Sequence, residues 1–148
     1  MTRHTYLTSL IGRPWAPHAS CWHLAVEVQR ELFCRALPDV TLPDQPSWRW
    51  MIDAIAGHPE RERWQEVAPP AVVGLINAPD GALVTMARAD RAAHIGVWLA
   101  PERRVIHGDE AFGVQFETVP ELRAGRWNRL RFYEPTTGAT AAQPIAPA

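Results

Sequence analysis

The sequence predicts an α+β domain, with helices in its first half and a largely antiparallel sheet in its second. Before residue 70, apolar residues recur at helical spacing. From residue 71 they gather instead in short β-branched and large-apolar runs, punctuated by turn clusters with no helix between successive runs. Composition agrees: 47% hydrophobic and 21% charged residues over 148 positions is ordinarily globular. A chain of this length buries about two thirds of its unfolded surface.

Residues 5–12 read as a short helix, with Tyr6, Leu7, Leu10 and Ile11 on one side and Gly12 as its stop. A loop follows through Pro14-Trp15-Ala16-Pro17-His18. The next helix starts at Cys21 and runs to about Arg35 or Ala36, with Cys21, Leu24, Ala25, Val28 and Leu32 on its apolar face and Ser20 as N-cap. Pro38 and Asp39 close it, and Leu42-Pro43-Asp44-Gln45-Pro46 is a further loop. Between 47 and 67 two short helices are expected, Ser47 to Ala56 and Pro59 to Glu66. Three of the seven tryptophans fall there, serving either as satellite core or as a lid or groove wall beside a site. Strands are expected at Val72–Ile76, Ala82–Met86, Ala93–Leu99, Arg104–His107, Phe112–Phe116 and Arg129–Tyr133, with a helical turn at Val119–Leu122. The domain is expected to span residues 1–135. Residues 136–148, rich in Pro, Thr and Ala, read as a flexible tail. There are no internal repeats.

The net charge of −1 gives no electrostatic case for a nucleic-acid or membrane-surface partner, and no apolar run is long enough to span a bilayer. The first residues lack the apolar core of a signal peptide, so the expectation is a protein made in the cytoplasm without one. Cys21 and Cys34, placed on one helix, are separated by roughly 20 Å of rise, too far to bridge. Reduced thiols follow, and Cys34, on the far side of the helix, reads as structural.

Two features carry possible chemistry. Cys21 lies in the first turn of its helix, where the dipole favours a thiolate; the alternative is a small buried hydrophobe. His94 and His107 fall on adjacent strands joined by Ala100-Pro101-Glu102-Arg103. If Leu99 faces Arg104, then His107 faces Gly96, His94 lies diagonally adjacent, and both rings share a sheet face. Such a set fits a nucleophile, a base and an orienting group: Cys21, His94 and His107. The alternative is scattered structural histidines, since His4, His18, His23 and His58 are also present. A metal site from His18, Cys21 and His23 lacks a fourth ligand at zinc-like spacing, and His18 and His23 read rather as rim residues tuning substrate access.

Several motifs occur in an order that resembles the NlpC/P60 cysteine peptidases, in the version found in phage tail proteins. Leu10-Ile11-Gly12-Arg13-Pro14-Trp15 followed by Ser20-Cys21-Trp22-His23-Leu24 resembles "IGxPY…DCWGL", with Leu37-Pro38 at the helix end. Asp80 to Met86 resembles "GDLVLM", His94 to Leu99 resembles "HVGIYL", and Val105-Ile106-His107-Gly108 with Gly113-Val114 resembles "VLHA…GV". Trp127 to Pro135 is similar to the closing "W…V..FYRP". The blocks cover nearly all of residues 6–135.

The resemblance implies a papain-like fold with the cysteine helix packed on an antiparallel sheet. It implies hydrolysis of amide bonds in peptidoglycan stem peptides, commonly next to D-glutamate or diaminopimelate, without metal or cofactor. Carried over, Cys21 is the nucleophile, His94 the base and His107 the orienting residue, with the Cys21 N–H helping to hold the oxyanion. Trp15, Ser20, Trp22 and His23 are the neighbouring candidates for substrate or oxyanion contact. Ser20 stands where the family usually has Asp, His23 where it has Gly, Trp15 where a tyrosine assists, and Asp80-Gly81-Ala82 where it has Gly-Asp. The expected role is a tail-tip peptidoglycan hydrolase in the virion, partnered by other tail-tip proteins. The alternative is a weak or inactive assembly component of the same fold.

Overall fold

The computed structural model describes residues 1–70, 72 and 74–136. Among them are four α-helices and one antiparallel six-stranded sheet. The elements are α1 (Arg3–Leu10), α2 (Cys21–Phe33), α3 (Trp48–Gly57), β1 (Trp64–Glu66), β2 (Leu83–Ala87), β3 (Ala92–Leu99), β4 (Arg104–Asp109), β5 (Gly113–Glu117), α4 (Val119–Gly125) and β6 (Arg129–Pro135). The sheet order is β1-β6-β2-β3-β4-β5. The α+β class with helices leading is therefore as the sequence predicts. Of the expected tail, 136–148, Thr136 is described, its N–H donating to the Arg63 carbonyl at 2.9 Å, and the rest lies outside the described residues.

α1 begins two residues earlier than expected because the Thr2 hydroxyl accepts the Thr5 N–H. Gly12 follows its end at φ +84, and the Gly12 N–H reaches the Val114 carbonyl at 2.9 Å, tying the loop before α2 to β5. α2 stops at Phe33, short of the expected Arg35 or Ala36. Cys34 turns left-handed at φ 52, and the N–H groups of Cys34 and Arg35 both return to the Gln29 carbonyl. Cys34 is thus the residue that ends the helix, and no disulfide joins it to Cys21.

α3 starts where the sequence places it, with Ser47 Oγ accepting the Trp50 N–H. The second expected helix is a 3-10 turn, Pro59–Arg63, because the chain then extends to pair with β6, Trp64 opposite Pro135. The expected strand Val72–Ile76 is absent among its described residues. Gly74 at φ +85 and the Leu75 N–H to Val72 carbonyl bond make a turn there, with Val72 and Leu75 exposed; Val73 lies outside the described residues. α4 is a full helix of seven residues rather than one turn, secured by the reciprocal Thr118 and Glu121 bonds.

The register of the central hairpin is as expected: Leu99 opposite Arg104 and Gly96 opposite His107. One sheet face buries Leu83, Ile95, Val97, Leu99 and Ile106 under Leu24, Ala25 and Val28 of α2 and Leu7 and Leu10 of α1. Each of the Leu, Ile and Val side chains among them contributes roughly 1.5–3 kcal/mol by leaving water. The other face buries Val84, Met86, Trp98 and Val105 with Val119, Leu122 and Trp127. α2 is also pinned by polar bonds, Gln29 donating to the Gly81 carbonyl at 2.7 Å. Arg3 clamps the layers together, gripping Asp80 and Glu102 at 2.7 and 2.8 Å.

Candidate active site

The first turn of α2 stands where β3 begins and β4 ends. Gly108 of β4 passes directly against it, a first side-chain carbon there standing 3.5 Å from the nitrogen and Cα of Cys21. The Cys21 thiol is buried, 2% exposed. Burial pushes its pKa up to about 11, against the downward pull of the backbone N–H groups of Ile95, Trp22 and Cys21 itself. The helix terminus does not overcome the loss of water, so the thiol rests neutral rather than as the thiolate that the dipole favours.

His94 and His107 share a face, as expected, and bond directly: His94 Nε2 to His107 Nδ1 at 2.8 Å, rings edge to face. The register beyond His94 is irregular, Met86 pairing His94 but Ala87 pairing Ala92, so Ala93 is the extra residue of a bulge. His107 Nε2 in turn lies 3.2 Å from Glu117 Oε1 on β5. A carboxylate only accepts, so the proton of a neutral His107 sits on Nε2 and its Nδ1 accepts from His94 Nε2–H. That tautomer leaves His94 Nδ1 as the nitrogen able to take a proton. Burial, then His107 and Arg126, hold the His94 pKa well below the usual histidine value. Cys21 and His94 therefore rest as a neutral pair.

Two cavities meet at the thiol. One is lined by Cys21, His94, Trp15, Asp109, Arg126 and Trp127; the other, almost wholly apolar, runs under α3 between Trp22, Trp50, Ile55, Leu83 and Ile95. Cys21 and Met51 are the residues that line both. Of the expected 47–67 segment, Trp50, Met51, Ala54, Ile55 and Trp64 line the apolar cavity, while Met51 and Trp64 also pack against the core. Trp127 stacks on His94 at 4.9 Å and on Trp48 at 5.8 Å, and Arg88 covers Trp48 at 4.5 Å.

Of the neighbouring candidates, Trp15 lines the His94 cavity and Trp22 the apolar one, where its indole N–H is held by the Pro38 carbonyl. Ser20 and His23 do not face either. The His23 Nδ1 accepts the Ser20 backbone N–H at 3.3 Å and the Ser20 hydroxyl at 2.8 Å, and its Nε2 is 3.4 Å from Asp39. Both are helix-capping residues. His18 is exposed, and among the described residues no group of three or more His, Cys, Asp or Glu is placed to hold a metal ion.

Glu117, Trp127 and Met51 went unassigned from sequence. The alternation of β5 opposite His107 was the available signal for Glu117; Trp127 and Met51 reach the site only through tertiary packing. No model of a known protein family matches the chain, and no curated protein matches it. No helix among the described residues is long and apolar enough to cross a membrane.

Proposed function

We propose that this chain is a cysteine hydrolase of the NlpC/P60 kind, with a papain-like arrangement of helix and sheet. The observation that carries the reading is the 2.8 Å bond from His94 Nε2 to His107 Nδ1 beside a cysteine at a helix N-terminus that lines the same cavity. Cys21 Sγ attacks the scissile carbonyl as its proton passes to His94 Nδ1. The imidazolium so formed is held by His107, itself held by Glu117. N–H groups of the first turn of α2 lack partners within the helix and suit a developing oxyanion. His94 returns the proton to the leaving amine, and water then hydrolyses the thioester.

The substrate class in this reading is the peptidoglycan stem peptide, and the setting a phage tail tip in which neighbouring tail proteins are partners. The motif order supports that setting. Digestion of purified peptidoglycan by wild type and Cys21→Ala, with fragments identified by mass spectrometry, tests it. Fragments made by wild type alone are expected. A folded wild type that releases nothing would favour the second reading, an assembly component of the same fold with little turnover, which the buried, neutral thiol also supports.

A further inference from the structure

The two cavities at Cys21 differ in chemistry. The one that holds His94 carries Asp109, Glu110 and Arg126. The other, about 140 Å³, is walled mostly by apolar side chains, Trp22, Trp50, Leu83 and Ile95 among them. Its polar edge of His58, Glu60 and Arg61 is bound up within the same rim: Glu60 accepts the Trp64 indole N–H at 2.9 Å, and Arg61 lies over the Tyr133 ring. His94 does not line it.

In acyl transfer from a thiol, the base that takes the proton gives it to the leaving group, so the leaving group departs on the side of the base. Resting on the assignment of Cys21 as nucleophile and His94 as base, we propose that the apolar cavity is the acyl-group site. Its occupant is an apolar side chain or acyl chain of about six carbons on the carbonyl side of the scissile bond. A dry cavity of about 150 Å³ lined by aliphatic and aromatic groups takes a benzene. The Cys21 sulfur–acyl bond forms as the bond to the leaving nitrogen or oxygen breaks, the thiol proton moving through His94 to that atom. Water then releases a carboxylic acid and restores the thiol.

The test is hydrolysis of p-nitrophenyl esters from acetyl to decanoyl by the full chain, alongside alkylation by methyl-to-octyl chloromethyl ketones with the adduct mapped to Cys21 or Cys34. kcat/KM should rise by up to about fourfold per methylene to a six-carbon chain, then level or fall. Ala54→Phe, which narrows the cavity, should lower the hexanoyl-to-acetyl ratio at least tenfold; if that variant fails to fold, the wild-type series decides alone. Cys21-dependent hydrolysis or labelling that ignores chain length overturns the acyl site and leaves the nucleophile standing. Labelling of Cys34 as fast as Cys21, with no Cys21-dependent ester release, overturns the nucleophile itself. Chain-dependent labelling of Cys21 without turnover supports the acyl site and removes the hydrolase.

Discussion

Titrating the reactivity of Cys21 tests the neutral resting pair directly. A thiol with a pKa of about 11 is ionised to roughly three parts in ten thousand at pH 7.5. Against a thiol of ordinary pKa that is about a hundredfold less thiolate. The more basic thiolate is a better nucleophile, which recovers roughly tenfold and leaves alkylation about tenfold slow. The assay is the rate of iodoacetamide capture of Cys21 in a Cys34→Ser background between pH 6 and 10. The expected rate rises about tenfold per pH unit, with no plateau below pH 10, and His94→Ala leaves that profile in place. Linkage gives a second readout. The folded state holds the Cys21 proton more tightly than the unfolded chain, so its contribution to stability is complete below the unfolded pKa near 9 and is lost as pH rises towards 11. Two pKa units correspond to about 3 kcal/mol, absent in Cys21→Ala. A plateau in capture rate between pH 5 and 8, abolished by His94→Ala, would refute the reasoning, because only a thiolate–imidazolium pair behaves that way.

His94, with its pKa held well below the usual value, should keep turnover flat as pH falls through 6.5. An acid limb in kcat/KM centred at or above 6.5 would contradict this. Glu117→Gln should lower kcat about tenfold, the worth of one charge-assisted bond, and shift the acid limb while leaving the melting temperature nearly unchanged; an unshifted pH profile would mark Glu117 as merely structural. Gly96→Ala should destabilise by about 1–3 kcal/mol, since its Cβ would stand 2.7 Å from Val105 Cγ1 and 2.8 Å from the Ile106 carbonyl oxygen, which is backbone and fixed by pairing. Thermal unfolding of that variant at wild-type temperature would mean that β3 and β4 can part there.

What the sequence made legible was whatever depends on local spacing. The period-3.6 stripe of α2, the Ser47 cap and the hairpin from Leu99 to Arg104 each follow from neighbours within a few residues. From the hairpin the Gly96–His107 register, and with it the contact of the two histidine rings, follows by counting. The misreadings share a cause: competition from distant chain. Trp64–Glu66 is strand because β6 offers it an edge, although its residues continue a helical pattern. Val72–Ile76 has strand composition, but its described residues pair with no such edge, and Gly74 turns the chain. The choice between a thiolate and a buried neutral thiol at Cys21 turns on the same distant chain. A helix dipole is visible in sequence, whereas the apolar walls brought by α3 and β3 are not.

Those walls link the two properties of the site. Trp22, Leu83 and Ile95 make a cavity fit for an apolar group, and by excluding water they also keep the thiol protonated. A thiolate prepared in advance would be stabilised by little in such surroundings. In the proposed hydrolase, attack and proton transfer to His94 would therefore proceed together, with charge appearing only once a carbonyl is in place to receive it. The His107–Glu117 arm matters most at that moment, because it steadies the positive charge on His94 that the burial of the ring otherwise opposes. On this argument a substrate that fills the apolar cavity contributes more to kcat than to binding alone, since excluding the last water sharpens every charge in the transition state.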